Sequence, residues 1–91
     1  MSKSFEIIVG GLVQGVGYRS YVARTAKSLN LKGSVKNMYD GNVRVIAVGE
    51  EANVKEFLDL LKTGPVRSSV KSLDCRELDA AANYEDFRIV F

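Results

Sequence analysis

The chain has 91 residues, 46% hydrophobic and 26% charged, with a net charge of +2, the profile of one small globular domain over 1–91 with a single core. One cysteine and no histidine exclude an internal disulfide, a zinc site built on His or Cys, and Ser-His or Cys-His nucleophile pairs. No apolar run approaches the ~20 residues of a membrane span, and Glu6 interrupts the first one, so no signal-peptide layout is seen and a cytoplasmic protein is expected.

Phe5 to Gly10 reads as strand one. The stretch Gly10-Gly11-Leu12-Val13-Gln14-Gly15-Val16-Gly17-Tyr18-Arg19 follows as a glycine-rich strand-to-helix loop. In such a loop backbone N–H groups can converge on an anion, helped by the helix N-terminus. Helix one covers 19 to about 30, with Val22, Ala26 and Leu29 on one face and Asn30 and Gly33 as stop signals. Arg19 stands at its positive end, mildly unfavourable for the helix, and no Asp or Glu offsets it in the first turn. An anion between Arg19 and the loop amides would account for that placement. Taken alone, a glycine-rich loop with one arginine is more often a plain turn with a solvated side chain.

Gly33 to Tyr39 reads as strand two, and Asp40-Gly41 as a two-residue hairpin turn with positive φ. Val35, Asn37 and Tyr39 share a face by the period of two, so a polar Asn sits where an apolar residue would pack better. Either Asn37 belongs to the turn ahead or its amide has a chemical task, and the turn is the commoner reason. Asn42 to Gly49 is strand three. Helix two runs from about Glu51 to Thr63 with Val54, Phe57, Leu58 and Leu61 in the i, i+3, i+4, i+7 pattern, and Gly64-Pro65 ends it. Extended segments follow over 66 to about 79 and from Tyr84 to Phe91. Cys75 in the first of these is expected as a small apolar filler, with Arg76 beside it able to lower its pKa.

The order predicts an α+β, ferredoxin-like βαββαβ sandwich: a mostly antiparallel sheet, an extra short C-terminal strand, and two helices on one face. That fold hosts many functions. Charge adds a bias. Residues 1–39 carry six Lys/Arg and one acid, Glu6, for +5, whereas residues 40–91 carry seven Lys/Arg and ten acids, for −3. The positive half surrounds the glycine-rich loop and would draw in an anion.

Two motifs carry a resemblance. Gly11-Leu12-Val13-Gln14-Gly15-Val16-Gly17-Tyr18-Arg19 resembles the first acylphosphatase signature, an apolar residue, QGV, a variable residue, an aromatic and Arg. Gly33-Ser34-Val35-Lys36-Asn37-Met38-Tyr39-Asp40-Gly41-Asn42-Val43 resembles the second, GxVxNxxDGxV, and the pair comes in the family's order and spacing. The resemblance implies hydrolysis of acyl phosphates to a carboxylate and inorganic phosphate, without metal or cofactor. By motif position Arg19 would bind the phosphoryl group and Asn37 would orient the attacking water. Amides of Gln14, Gly15, Val16, Gly17 and Tyr18 would form the cradle. Three departures stand out: Tyr18 for the usual phenylalanine, Ser34 where an aromatic is common, expected to loosen packing beside strand two, and Arg44 where an acid is frequent.

A carboxylate leaves easily at neutral pH, so a site lacking His, Cys or a carboxylate pair suits this chemistry. The main alternative is a non-catalytic module of the same fold that binds phosphate or a protein; related domains occur inside larger carbamoyl-transfer maturation proteins. An RNA-binding ferredoxin-like domain is disfavoured because strand three has no aromatic residue, and a metal carrier because donor residues are lacking. The expected partners are therefore an acyl phosphate and its phosphate product, with no nucleic acid and no membrane, acting on a monomer.

Overall fold

The computed structural model describes residues 2–79 and 83–91. Alternating side chains build its sheet. The five strands are β1 (Lys3–Leu12), β2 (Lys32–Asn37), β3 (Val43–Gly49), β4 (Ser69–Glu77) and β5 (Phe87–Val90). Helix α1 (Tyr18–Ser28) joins β1 to β2, and α2 (Glu51–Thr63) joins β3 to β4. The strand order is β4-β1-β3-β2-β5, antiparallel throughout except for the parallel pair β2 and β5. β3 is inserted between β1 and β2, which gives the split βαβ arrangement predicted from the sequence. Both helices pack on the sheet face carrying Ile7, Val9, Val35, Val43 and Val45, all fully buried.

The helical stripes follow the sequence pattern. Val22 and Ala26 of α1 and Val54, Phe57 and Leu61 of α2 are buried, while Leu29 and Leu58 are only partly so and flank the core. Asn30, at φ 57°, ends α1 in the left-handed conformation, and the Leu31 N–H donates back to the Ala26 carbonyl at 2.9 Å. Gly33 lies in β2 at φ 141°, and a Cβ there would run into the Ile46 carbonyl oxygen, so close approach of β2 to β3 requires glycine.

Three expectations are corrected. The β2–β3 connection is not a two-residue turn. The Met38 N–H donates to the Asn42 carbonyl at 2.8 Å and the Gly41 N–H to the Met38 carbonyl at 3.2 Å, with Gly41 alone at positive φ. That is a three-residue loop, Tyr39 to Gly41, with the glycine in the bulge position, and Asp40 Oδ1 accepts the Asn42 N–H at 3.0 Å. Tyr39 consequently leaves the strand and is fully exposed instead of sharing the face of Val35 and Asn37. Cys75 lies exposed on the edge strand β4 instead of filling the core. Partial burial pushes its thiol pKa up, and the Arg76 side chain is bound to Glu6, so it does not activate Cys75.

The sheet face away from the helices absorbs the other departures. Ser34 is paired there with Ile46 and Arg88, one residue out of phase with the buried Val35, so the helix-side core is not loosened. Arg44 donates from Nε to Glu6 Oε2 at 2.7 Å, and Arg76 Nε donates to Glu6 Oε1 at 2.8 Å. The added positive charge at Arg44 is thus held by a carboxylate. Hydrogen bonds from Arg76 and Arg44 hold the Glu6 pKa below its ordinary value.

Candidate active site

Helix α1 begins without a cap. Its Ncap residue is Gly17, at φ 79° and ψ 14°, which supplies no side-chain acceptor, and the first turn has no acid. The first helical hydrogen bond runs from the Tyr21 N–H to the Gly17 carbonyl at 3.1 Å, so the amides of Tyr18, Arg19 and Ser20 have no acceptor within the helix. Glycine at 17 permits the left-handed turn that brings the chain into the helix at this angle. A small cleft of about 90 Å³ opens at this end, lined by Val13, Gly15, Gly17, Tyr18, Arg19 and Ser20. Orphan donors and the positive end of the helix dipole meet there, which is the chemistry of an anion site.

The loop is held from beneath by tyrosines. Tyr18 is buried, and its hydroxyl donates to the Leu61 carbonyl at 2.9 Å; the Tyr21 hydroxyl donates to the Leu60 carbonyl at 2.7 Å. The helical partner of the Leu61 carbonyl would be the amide of residue 65, but Pro65 has none. The Tyr18 hydroxyl supplies the missing donor, a use that phenylalanine could not serve. Burial, with Tyr21 as a smaller cause, pushes the Tyr18 phenol well above its ordinary pKa.

Of the residues picked out by the motifs, Gly15, Gly17, Tyr18 and Arg19 line the small cleft together. The Val16 side chain packs against the core, and the Gln14 side chain leaves the loop for the β2–β3 connection. Each can offer the cleft only its backbone. Among the described residues no carboxylate pairs with Arg19, whose guanidinium carbon lies 4.8 Å from the Phe91 ring centroid. Phe91 also lines a second, more open cleft of about 370 Å³ with Lys36, Asn37, Met38 and Tyr39. Phe91 therefore borders both Arg19 and the cleft that contains Asn37. Val13, Ser20 and Phe91 were not singled out from the sequence. Ser20 could have been, as a residue of the first helical turn, whereas Phe91 meets Arg19 only through the sheet order.

Asn37 is the last residue of β2, on the helix-side face with Val35. Its Oδ1 is buried and has no hydrogen-bond partner among the described residues. A buried acceptor without a donor costs roughly 1–3 kcal/mol, so its retention calls for a chemical reason. Among the described residues there is no group of three or more Cys, Asp or Glu placed to hold a metal, and no helix is long and apolar enough to cross a membrane.

The family model of acylphosphatase matches residues 5–89. The chain belongs to the acylphosphatase family. An acylphosphatase of Archaeoglobus fulgidus is 41% identical over 88 residues, covering 97% of this chain and 98% of the relative, and one of Chlorobaculum tepidum is 42% identical over 88 residues, covering 97% and 96%. The crystal structure of the Bacillus subtilis acylphosphatase superposes with a TM-score of 0.95 at 36% identity and full coverage of both chains. A full-length HypF structure in a phosphate- and nucleotide-bound form also matches, with a TM-score of 0.93 and 33% identity, but over only 12% of that chain. The acylphosphatase membership makes this chain a hydrolase of acyl phosphates, which releases a carboxylate and inorganic phosphate.

Proposed function

We propose that hydrolysis takes place between the uncapped start of α1 and the end of β2. The phosphoryl group sits in the small cleft, bound by the Arg19 guanidinium and by amides of the Gln14 to Tyr18 loop. Asn37 holds the attacking water through Oδ1. The reading is supported by the Asn37 oxygen, buried and unpartnered among the described residues, in a cleft bordered by the same Phe91 ring that lies on Arg19 at the uncapped start of α1. Turned into the cleft, that oxygen accepts one hydrogen of the water and leaves the water a lone pair for phosphorus.

The step balances without a strong acid or base. A bond forms between the water oxygen and phosphorus, the bond from phosphorus to the acyl oxygen breaks, and its electron pair leaves with the carboxylate. An amide is too weak a base to take the water's proton, which passes to a phosphoryl oxygen. Catalysis then consists of positioning and of stabilising charge on the equatorial oxygens. Each well-aimed donor of this kind contributes ~3 kcal/mol to the transition state. The planar fork of Arg19 and the fixed amides suit a trigonal array of oxygens.

We read residues 1–91 as one domain around one core, with a site that requires no second chain. No nucleic acid is required, and the exposed Cys75, lacking a partner for a disulfide, suits the reducing cytoplasm. Hydrolysis of benzoyl phosphate in ¹⁸O-water tests the reaction. Label in the phosphate and none in the benzoate is expected. Label in the benzoate would mean attack at the carbonyl carbon and would overturn the assigned geometry.

A further inference from the structure

Gln14 leaves the glycine-rich loop sideways. Its Nε2 donates to the Met38 carbonyl at 2.8 Å and to the Asn42 carbonyl at 2.9 Å, across 24 and 28 residues of sequence. These two carbonyls form the neck of the β2–β3 connection. Each already accepts one backbone hydrogen bond, from the Gly41 N–H and the Met38 N–H respectively. One amide group thus uses both of its hydrogens to bridge the two sides of the neck, next to Asn37 in the chain. The loop that ends in Arg19 and the strand that ends in Asn37 are fixed to each other by this group.

We infer that Gln14 is a positioning residue. Its side chain sets the distance between the phosphoryl cradle and the water held by Asn37, while its backbone amide stays in the cradle. The inference rests on the proposed division of labour between Arg19 and Asn37. The physical reason is geometric. In-line attack tolerates little misplacement, and an error of about 1 Å between reacting groups can cost on the order of a hundredfold in rate. Among the described residues no other side-chain hydrogen bond joins the loop to the end of β2; the remaining links run through β3, where Val43 pairs with both Val9 and Asn37, through the core, and around Phe91, whose ring lies on Arg19. Gln is the natural residue here. A neutral primary amide offers two diverging donors from one nitrogen on a stem of this length; Glu would place a carboxylate against two carbonyl oxygens, and Asn would fall short.

The test is a double-mutant cycle on benzoyl phosphate with Gln14→Ala, Asn37→Ala and the pair, alongside inhibition by inorganic phosphate. Gln14→Ala is expected to lower kcat by roughly ten- to a hundredfold. Phosphate inhibition should stay within about twofold, since the cradle amides and Arg19 remain, on the scale of independent sites. In the Asn37→Ala background the same change should cost less than about threefold, because no oriented water is left to misplace. A purely structural Gln14 would lower activity equally in both backgrounds, and that result overturns the inference. So does an unchanged kcat in Gln14→Ala. Gln14→Met, which keeps the stem and removes both donors, gives the same readout if the alanine variant does not fold. Full activity in Asn37→Ala alone would instead remove the underlying assignment of the water, and is distinguishable because it involves no change at Gln14.

Discussion

Replacing Tyr18 by phenylalanine restores the residue more usual in acylphosphatases, yet it should destabilise this one. The ring of Tyr18 is fully buried, so its packing survives the change. What is lost is the donor to the Leu61 carbonyl at 2.9 Å. That oxygen has no helical alternative, because residue 65 is Pro65. Leaving it unsatisfied costs about 2 kcal/mol, the middle of the range for a buried polar group that loses its partner. For a domain of this size that corresponds to a fall in Tm of roughly 8–16 °C. Thermal unfolding followed by circular dichroism reads it directly. A midpoint within about 2 °C of the wild type would refute the reasoning, since it would mean a loss below about 0.5 kcal/mol. The same hydroxyl predicts an alkaline limb. The folded phenol titrates above its ordinary value of 10.0, so its contribution is whole below pH 10 and is lost as the pH rises past 10 toward the folded pKa. Tyr18→Phe should flatten that limb.

Two further outcomes follow from the same contacts. Arg19→Lys should reduce kcat/KM by on the order of a hundredfold, because an ammonium cannot present the two parallel donors of the guanidinium; near-normal turnover in steady-state assays would remove Arg19 from the phosphoryl site. Glu6→Gln should change the acid limb of stability. Pairing with Arg76 and Arg44 lowers the Glu6 pKa below 4.5, so its contribution is present above that value and disappears as the pH falls through the folded pKa. Urea unfolding from pH 6 to pH 3 should show the gap between wild type and variant closing as the pH drops; a constant gap would contradict the ion-pair account.

Local patterns in the sequence were enough for most of the fold. α2 is legible because Val54, Phe57, Leu58 and Leu61 repeat at the helical period and Gly64-Pro65 stops the run. The start of α1 is legible for the same reason: Gly15, Gly17 and Arg19 act within a few residues of one another. What was not legible is non-local. β5 lies parallel to β2 across the sheet from β4, which no spacing encodes, and only that order brings Phe91 onto Arg19. The Asp40-Gly41 pair signals a turn, but the register of Asn37 with Val43 decides its length, and so the three-residue loop was missed. Asn37 was ambiguous for a similar reason. Its place at the end of β2 is readable, but that its Oδ1 is buried with no partner among the described residues depends on the folded chain. The sequence offers Gln14 as one more cradle amide, whereas its side chain spans to residues 38 and 42.

The central claim is that Arg19 binds the phosphoryl group and Asn37 orients the water. It is tested most directly by benzoyl phosphate turnover and phosphate inhibition measured together in the wild type, Arg19→Ala and Asn37→Ala, with chelator present. Both variants should lose at least about a hundredfold in kcat/KM, the scale set by removing one transition-state donor. Phosphate inhibition should weaken in Arg19→Ala and persist in Asn37→Ala. Rapid turnover that survives both changes, or loss of phosphate inhibition in Asn37→Ala alone, would contradict the assignment.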